Sequence, residues 1–156
     1  MLVASDASGA QLVCEVEIGV VVAAPRERVF AAWTRPEDLA RWWGPRDFTV
    51  PFCGMDVRPH GSFRICIRSP EGRDHWMRGV FHEIHEPERI VFSHAWEDDG
   101  RETLACVSFA LDGRGTRLAV RHEGLGSHAE RASYEVGWRE ALARLASYVT
   151  ASMGPG

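Results

Sequence analysis

The sequence predicts an α+β fold: a curved antiparallel sheet of about seven strands wrapped around a long C-terminal helix, with two short helices after the first strand. Three observations carry this. From Phe48 to Glu123 apolar and polar residues alternate with period two, and short connectors containing Gly or Pro recur between the runs. No βαβ alternation breaks that stretch, so its strands follow one another as hairpins. After Ser127 the period lengthens, and Tyr134, Trp138, Leu142, Leu145 and Val149 form one apolar stripe on a single helix. A sheet of this size must bury one face, and that helix is the long amphipathic element available to cover it.

Taken in order, a small and polar N-terminal segment, residues 1–11, precedes one domain over residues 12–152. Leu12 to Val22 reads as a strand in which Cys14, Val16, Ile18 and Val20 alternate against Glu15, Glu17 and Gly19. Ala24-Pro25 opens a helix, because proline fits a first turn and Glu27 suits its positive end. Val29, Phe30 and Trp33 supply its apolar face. Pro36 interrupts; Glu37 and Asp38 begin a second short helix that runs into Trp42-Trp43 and is stopped by Gly44-Pro45. Six strands are expected over Phe48–Val57, Ser62–Ser69, His75–His85, Arg89–Glu97, Thr103–Asp112 and Thr116–Glu123. The final helix runs from about Ser127 to Ala151, with Ser127 and Glu130 at capping-box spacing.

Strand alternation assigns the inward faces to Phe63, Ile65, Ile67; Ile90, Phe92, Trp96; Val107, Phe109, Leu111; and Leu118, Val120. In the strand 75–85 the parity is ambiguous, since Phe81 and Ile84 differ by an odd number, and a bulge near Gly79 would reconcile them.

Composition narrows the function classes. The chain has 156 residues, enough for a core without disulfide or metal support, and its net charge of −4 offers no basic surface for nucleic acid. All 18 basic residues are Arg, with no Lys and no Asn, which reads as the codon bias of a GC-rich bacterial genome. Cys14, Cys53, Cys66 and Cys106 lie far apart, without the close spacing of a metal knuckle or redox pair. Reduced thiols, no membrane span and no signal peptide at the start make the cytoplasm the expected compartment.

Candidate chemistry is sparse. His82-Glu83-Ile84-His85 is one residue short of a zinc-binding H-E-x-x-H and falls on a strand, so no metal site is expected. There is no nucleophile elbow, and no nucleotide loop built as strand, loop and helix. His94 and His122 stand in phase with apolar residues; they read first as hydrogen-bonded strand-end histidines and second as ligand-binding or proton-transfer groups. With Tyr134 and Arg78 they complete the polar groups that could meet a ligand. An inward Arg78 would suit a carboxylate or enolate, but its direction depends on the bulge.

Four segments together resemble the activator of heat-shock protein 90 ATPase homologue family, within the SRPBCC (START-like, Bet v 1-like) helix-grip superfamily. They are Ala24–Pro45 (APRERVFAAWTRPEDLARWWGP), Gly79–Trp96 (GVFHEIHEPERIVFSHAW), Val107–Leu125 (VSFALDGRGTRLAVRHEGL) and Gly137–Val149 (GWREALARLASYV). The resemblance covers about residues 13–150 and implies a cavity between sheet and long helix, with no fixed catalytic residues. The superfamily includes carriers of apolar ligands, polyketide cyclases and aromatases, and co-chaperone domains.

Three readings follow: a binding module for a small apolar or aromatic ligand, with no cofactor and no assigned catalysis; a cyclase/aromatase-like enzyme using His94, His122, Tyr134 or Arg78; and a chaperone-interacting module. A membrane or nucleic-acid partner is not expected, and a homodimer is an open option that no sequence feature establishes. The expected cavity residues are Trp43, Phe63, Ile65, Arg78, Phe92, His94, Trp96, Phe109, Val120, His122, Tyr134 and Trp138. Of the paired tryptophans, Trp43 is expected at the cavity mouth and Trp42 between the short helices and the sheet. Burying either ring is worth about 4–6 kcal/mol at most, from about 150–250 Å² at about 25 cal/mol per Å².

Overall fold

The structure, a computed structural model, describes residues 14–151. The N-terminal segment and the first two residues of the expected opening strand, Leu12 and Val13, lie outside the described residues. Strand β1 (Glu15–Val22) leads into helices α1 (Arg26–Thr34) and α2 (Pro36–Leu39). Then come β2 (Thr49–Met55), β3 (Ser62–Arg68), β4 (Asp74–His85), β5 (Arg89–Trp96), β6 (Glu102–Asp112) and β7 (Gly115–Glu123), followed by α3 (His128–Ala151).

All seven strands form one sheet in the order β1-β7-β6-β5-β4-β3-β2, and every neighbouring pair is antiparallel. Strands β2 to β7 are a meander of hairpins, as period-two patterning and Gly/Pro connectors require. β1 sits at one edge and β2 at the other, so α1 and α2 carry the chain across the sheet. Edge strand β2 contains Pro51 and shifts register between Thr49 and Phe52; a residue without an N–H is tolerated at such an edge. α3 covers the inner face alongside β1, with Trp138, Ala141, Leu142, Leu145 and Val149 buried. This is a helix-grip arrangement.

Capping starts α3 where expected, with one difference. The Ser127 hydroxyl oxygen accepts the Glu130 N–H at 3.1 Å, but the Glu130 carboxylate reaches back to the N–H of Gly126 rather than that of Ser127. α2 is also shorter than expected: its regular part ends at Leu39, and single turns carry the chain through Trp42 and Trp43, both bonded back to the Leu39 carbonyl.

The ambiguous strand resolves in a specific way. Met77 pairs with Trp96, Arg78 with Ala95 and Phe81 with Phe92, after which the register shifts so that Glu83 pairs with Val91. The bulge is therefore at His82, three residues beyond Gly79, and it allows both Phe81 and Ile84 to face the core. Gly79 has a different task. A Cβ there would lie 2.0 Å from the Ser93 carbonyl oxygen and 2.4 Å from the Phe63 ring, so only glycine permits this approach of strands. On the same parity Arg78 points outward and is exposed. Leu111 also departs from its expected inward place: it is 69% exposed, because it stands at the rim of the sheet just before the β6–β7 hairpin.

Candidate functional site

One half of the space between sheet and helix is solid. Phe109 and Val120 are fully packed, with the Phe109 ring edge-on to Phe30 and Trp33 at 5.1 and 6.1 Å between centroids. Phe63, Ile65 and Phe92 border a void of about 20 Å³ beneath α1 and α2, which is apolar and holds a single water at most. Trp42, with no exposed surface, packs against α1 and donates its indole N–H to the Ala32 carbonyl at 3.0 Å.

The other half is open. A cavity of about 180 Å³ lies between α3 and the inner face of β3, β4, β5 and β7. Ile67, Met77, His94, Trp96 and His122 line it from the sheet. Ser133, Tyr134, Gly137, Trp138 and Ala141 line it from α3, and Trp43, Gly44 and Pro45 close one side. The helix sequence explains the space: Ser133, Gly137 and Ala141 recur every four residues, so one row along α3 has almost no side-chain bulk. A Cβ at Gly137 would meet nothing within 4 Å.

Trp43 divides the two halves. Its indole N–H points to the Met77 sulfur at 3.3 Å, and its ring stands edge-on to Trp33 and Trp138 at 5.9 and 5.7 Å. Gly44 takes φ of +100°, a left-handed value that ends the helical turns after α2. Arg144 on α3 anchors this corner, its Nη1 donating to the carbonyls of Trp43, Gly44 and Pro45 at 3.2, 3.1 and 2.8 Å. The guanidinium thereby satisfies carbonyls left open at the end of the helical turns.

Hydrogen bonds inside the cavity wall have a fixed direction. The Trp138 indole can only donate, so Nδ1 of His122 accepts its bond at 3.0 Å. Neutral His122 must then carry its proton on Nε2, which lies 2.6 Å from Thr103 Oγ1. The Thr103 hydroxyl in turn donates to the His94 carbonyl at 3.1 Å. Both nitrogens of His122 are thus committed, and burial, followed by the field of His94, holds its pKa down at about 3. A proton added to Nδ1 would have to displace the Trp138 bond, so this imidazole orients its neighbours and is poorly placed to take up a proton.

His94 is different. The residue is 5% exposed, Nδ1 is buried without a hydrogen-bond partner, and no bond joins its ring to another described residue. Burial lowers its pKa to about 4, only partly offset by its own backbone carbonyl. Its aromatic neighbours meet it edge-on: Trp96 at 5.2 Å, His122 at 5.6 Å and Tyr134 at 6.0 Å between centroids. The Tyr134 hydroxyl oxygen accepts the Trp96 indole N–H at 2.8 Å, and burial raises the phenol pKa.

Of the twelve residues that sequence reasoning assigned to the cavity, the structure brings six to the 180 Å³ space: Trp43, His94, Trp96, His122, Tyr134 and Trp138. Phe63, Ile65 and Phe92 lie at the small void, and Phe109 and Val120 in packed core. Arg78 is on the outer surface, near Glu97. Ile67, which alternation had already turned inward, joins the six at the cavity; the residues missed were Met77, Thr103, the Gly44-Pro45 corner and the small row of α3. That row was visible as a four-residue spacing; Thr103 gave no signal, because its partner is nineteen positions away.

Among the described residues no group of three or more His, Cys, Asp or Glu could hold a metal, and no helix is long and apolar enough to cross a membrane. The cysteines are free thiols, and burial, with Glu37 nearby, pushes Cys53 up to about 11, which removes it as a nucleophile near neutral pH.

Solved structures of similar shape cover nearly the whole chain. A Chromobacterium violaceum protein superposes with a TM-score of 0.79 at 26% identity, over 86% of this chain and 96% of that one. An Aeromonas hydrophila protein described as AHSA1-like gives 0.77 at 26%, over 88% and 93%. For a Nitrosomonas europaea protein the values are 0.78 at 21%, over 92% and 97%, a likeness of fold alone. No curated protein matches the sequence. The family model described as Activator of Hsp90 ATPase homolog 1-like protein matches residues 23–150, and the chain belongs to that family.

Proposed function

We propose that the protein is a binding module for a small, largely apolar aromatic molecule held between the sheet and α3. The observation that carries this is the cavity itself: about 180 Å³, walled by Trp43, Trp96, Tyr134 and Trp138, and left open by the small row of α3. An apolar cavity of about 150 Å³ is enough to accept benzene in an engineered protein. Leaving such space empty forgoes packing energy, so its presence needs a reason. The cyclase-type alternative draws less support, because no two of His94, His122, Tyr134 and Arg78 are hydrogen-bonded to each other.

Titration of intrinsic tryptophan fluorescence with aromatic hydrocarbons such as p-xylene and naphthalene tests the reading. Saturable changes are expected in the native protein and their loss in Gly137→Leu, whose side chain would occupy the cavity. No saturable response, or an equal response from Gly137→Leu, would overturn it. The family description favours a second reading, contact with a chaperone of the Hsp90 type. Its measure is the chaperone's ATPase rate with and without this protein.

A further inference from the structure

We infer that the ligand of this cavity is uncharged and carries a hydroxyl or carbonyl oxygen that hydrogen-bonds to His94. The inference rests on the binding reading above and goes beyond it by assigning the ligand's polarity.

His94 is the buried polar side chain of the wall that no other described residue serves. His122 has both nitrogens committed, one to Trp138 and one to Thr103. Thr103 spends its own proton on the His94 carbonyl. Trp96 gives its N–H to Tyr134. What remains is the His94 imidazole, whose ring bonds to no other described residue, and the Tyr134 O–H, whose oxygen accepts from Trp96 while no acceptor among the described residues takes its hydrogen. An unsatisfied buried polar group costs roughly 1–3 kcal/mol. Buried groups in folded proteins almost always find partners; Nε2 of His94 bonds to no described residue and the side chain lines the cavity, so its partner is one supplied from outside the chain. A neutral imidazole carries one N–H and one lone pair, so the ring can offer a ligand either a donor or an acceptor.

Charge decides what that partner can be. Among the described residues no guanidinium lines the cavity: Arg144 turns its Nη1 to the carbonyls at residues 43–45, Arg101 pairs with Glu130 and the Gly124 carbonyl, and Arg78 is on the outer surface. A carboxylate would therefore enter an apolar wall of tryptophans without a counter-charge, at a prohibitive desolvation cost. A hydroxyl can both accept from and donate to neutral His94 and Tyr134; a carbonyl can accept from either. Phenols and aryl ketones are the chemical class that fits.

Three probes of one shape test this at pH 7.5: p-xylene, p-cresol and 4-methylbenzoate, titrated by calorimetry against the native protein and His94→Phe. In the native protein p-cresol and p-xylene should bind, and 4-methylbenzoate at least 100-fold more weakly than p-cresol. His94→Phe should weaken p-cresol at least tenfold and leave p-xylene within threefold. Tyr134→Phe, which removes only the hydroxyl, gives a second route should His94→Phe fold poorly, and should weaken p-cresol alone. Equal binding of 4-methylbenzoate overturns the inference. So does loss of both neutral probes together in each variant, or a p-cresol affinity indifferent to both variants, which would assign the His94 partner to water. Failure of every probe to bind the native protein instead removes the binding reading itself.

Discussion

Acidification should destabilise this protein through two buried imidazoles before its ion-paired carboxylates are protonated. His94 and His122 have folded pKa values held at about 4 and about 3, against 6.5 for the free group. The unfolded chain therefore binds more protons as the pH falls, and stability must drop in that direction. The contribution is complete above about pH 6.5 and is lost progressively down to about 4 for His94 and about 3 for His122. At pH 5 the unfolded state gains about 2 kcal/mol from each ring, so about 4 kcal/mol together. That is a large part of the 5–15 kcal/mol typical of a domain.

The surface ion pairs respond elsewhere on the pH scale. Asp74, Glu97 and Glu135 have carboxyls held below their ordinary values by Arg68, Arg64 and Arg139, so their contributions fade only at lower pH. Urea unfolding at pH 7.5, 6.0 and 5.0 isolates the imidazole window. The native protein should lose about 4 kcal/mol across it, and His94→Phe about 2 kcal/mol, because that variant removes one group and part of the field on the other. Stability flat to within about 1 kcal/mol from pH 7.5 to 5.0 would refute the claim that folding holds both rings neutral.

Four substitutions test the packing around the site. Gly137→Ala should raise stability by about 0.8–1 kcal/mol in urea unfolding, since alanine is the better helix former and its Cβ enters open space; a loss would contradict that openness. Thr103→Val should cost about 1–3 kcal/mol by leaving the His122 Nε2–H unsatisfied, and the Trp138 indole resonance should shift in NMR as the chain of bonds relaxes. Arg144→Met should cost about 1.5–3 kcal/mol and alter tryptophan emission, as the corner carrying Trp43 loses its anchor. Gly79→Ala should cost at least about 1–3 kcal/mol in thermal or urea unfolding, because the new Cβ meets the Ser93 carbonyl and the Phe63 ring.

Much of the fold could be read along the chain because its signals are local. Alternation marked β3 and β5 to β7 to within a residue or two of their observed ends, and the Gly- and Pro-bearing connectors marked their hairpins. The bulge in β4 could be anticipated but not located: the parity of Phe81 and Ile84 required one, while its position depends on how β5 pairs across from His82. His94 and His122 could be recognised as inward residues from phase alone. Their difference in role could not, because it rests on Thr103 and Trp138 arriving from other elements at one nitrogen each.

The sequence by itself determined the order of elements, the inward parity of most strands and the family. Only the tertiary structure decided which apolar stripe is filled and which is left open. Periodicity says which residues face inward, not how much volume the opposing surfaces leave between them. Phe63, Phe92 and Phe109 face the same interior as His94, yet the void beside the first two is about 20 Å³ and the space beside His94 about 180 Å³. The paired tryptophans divide at this boundary: Trp42 belongs to the filled half and Trp43 forms the wall of the open one.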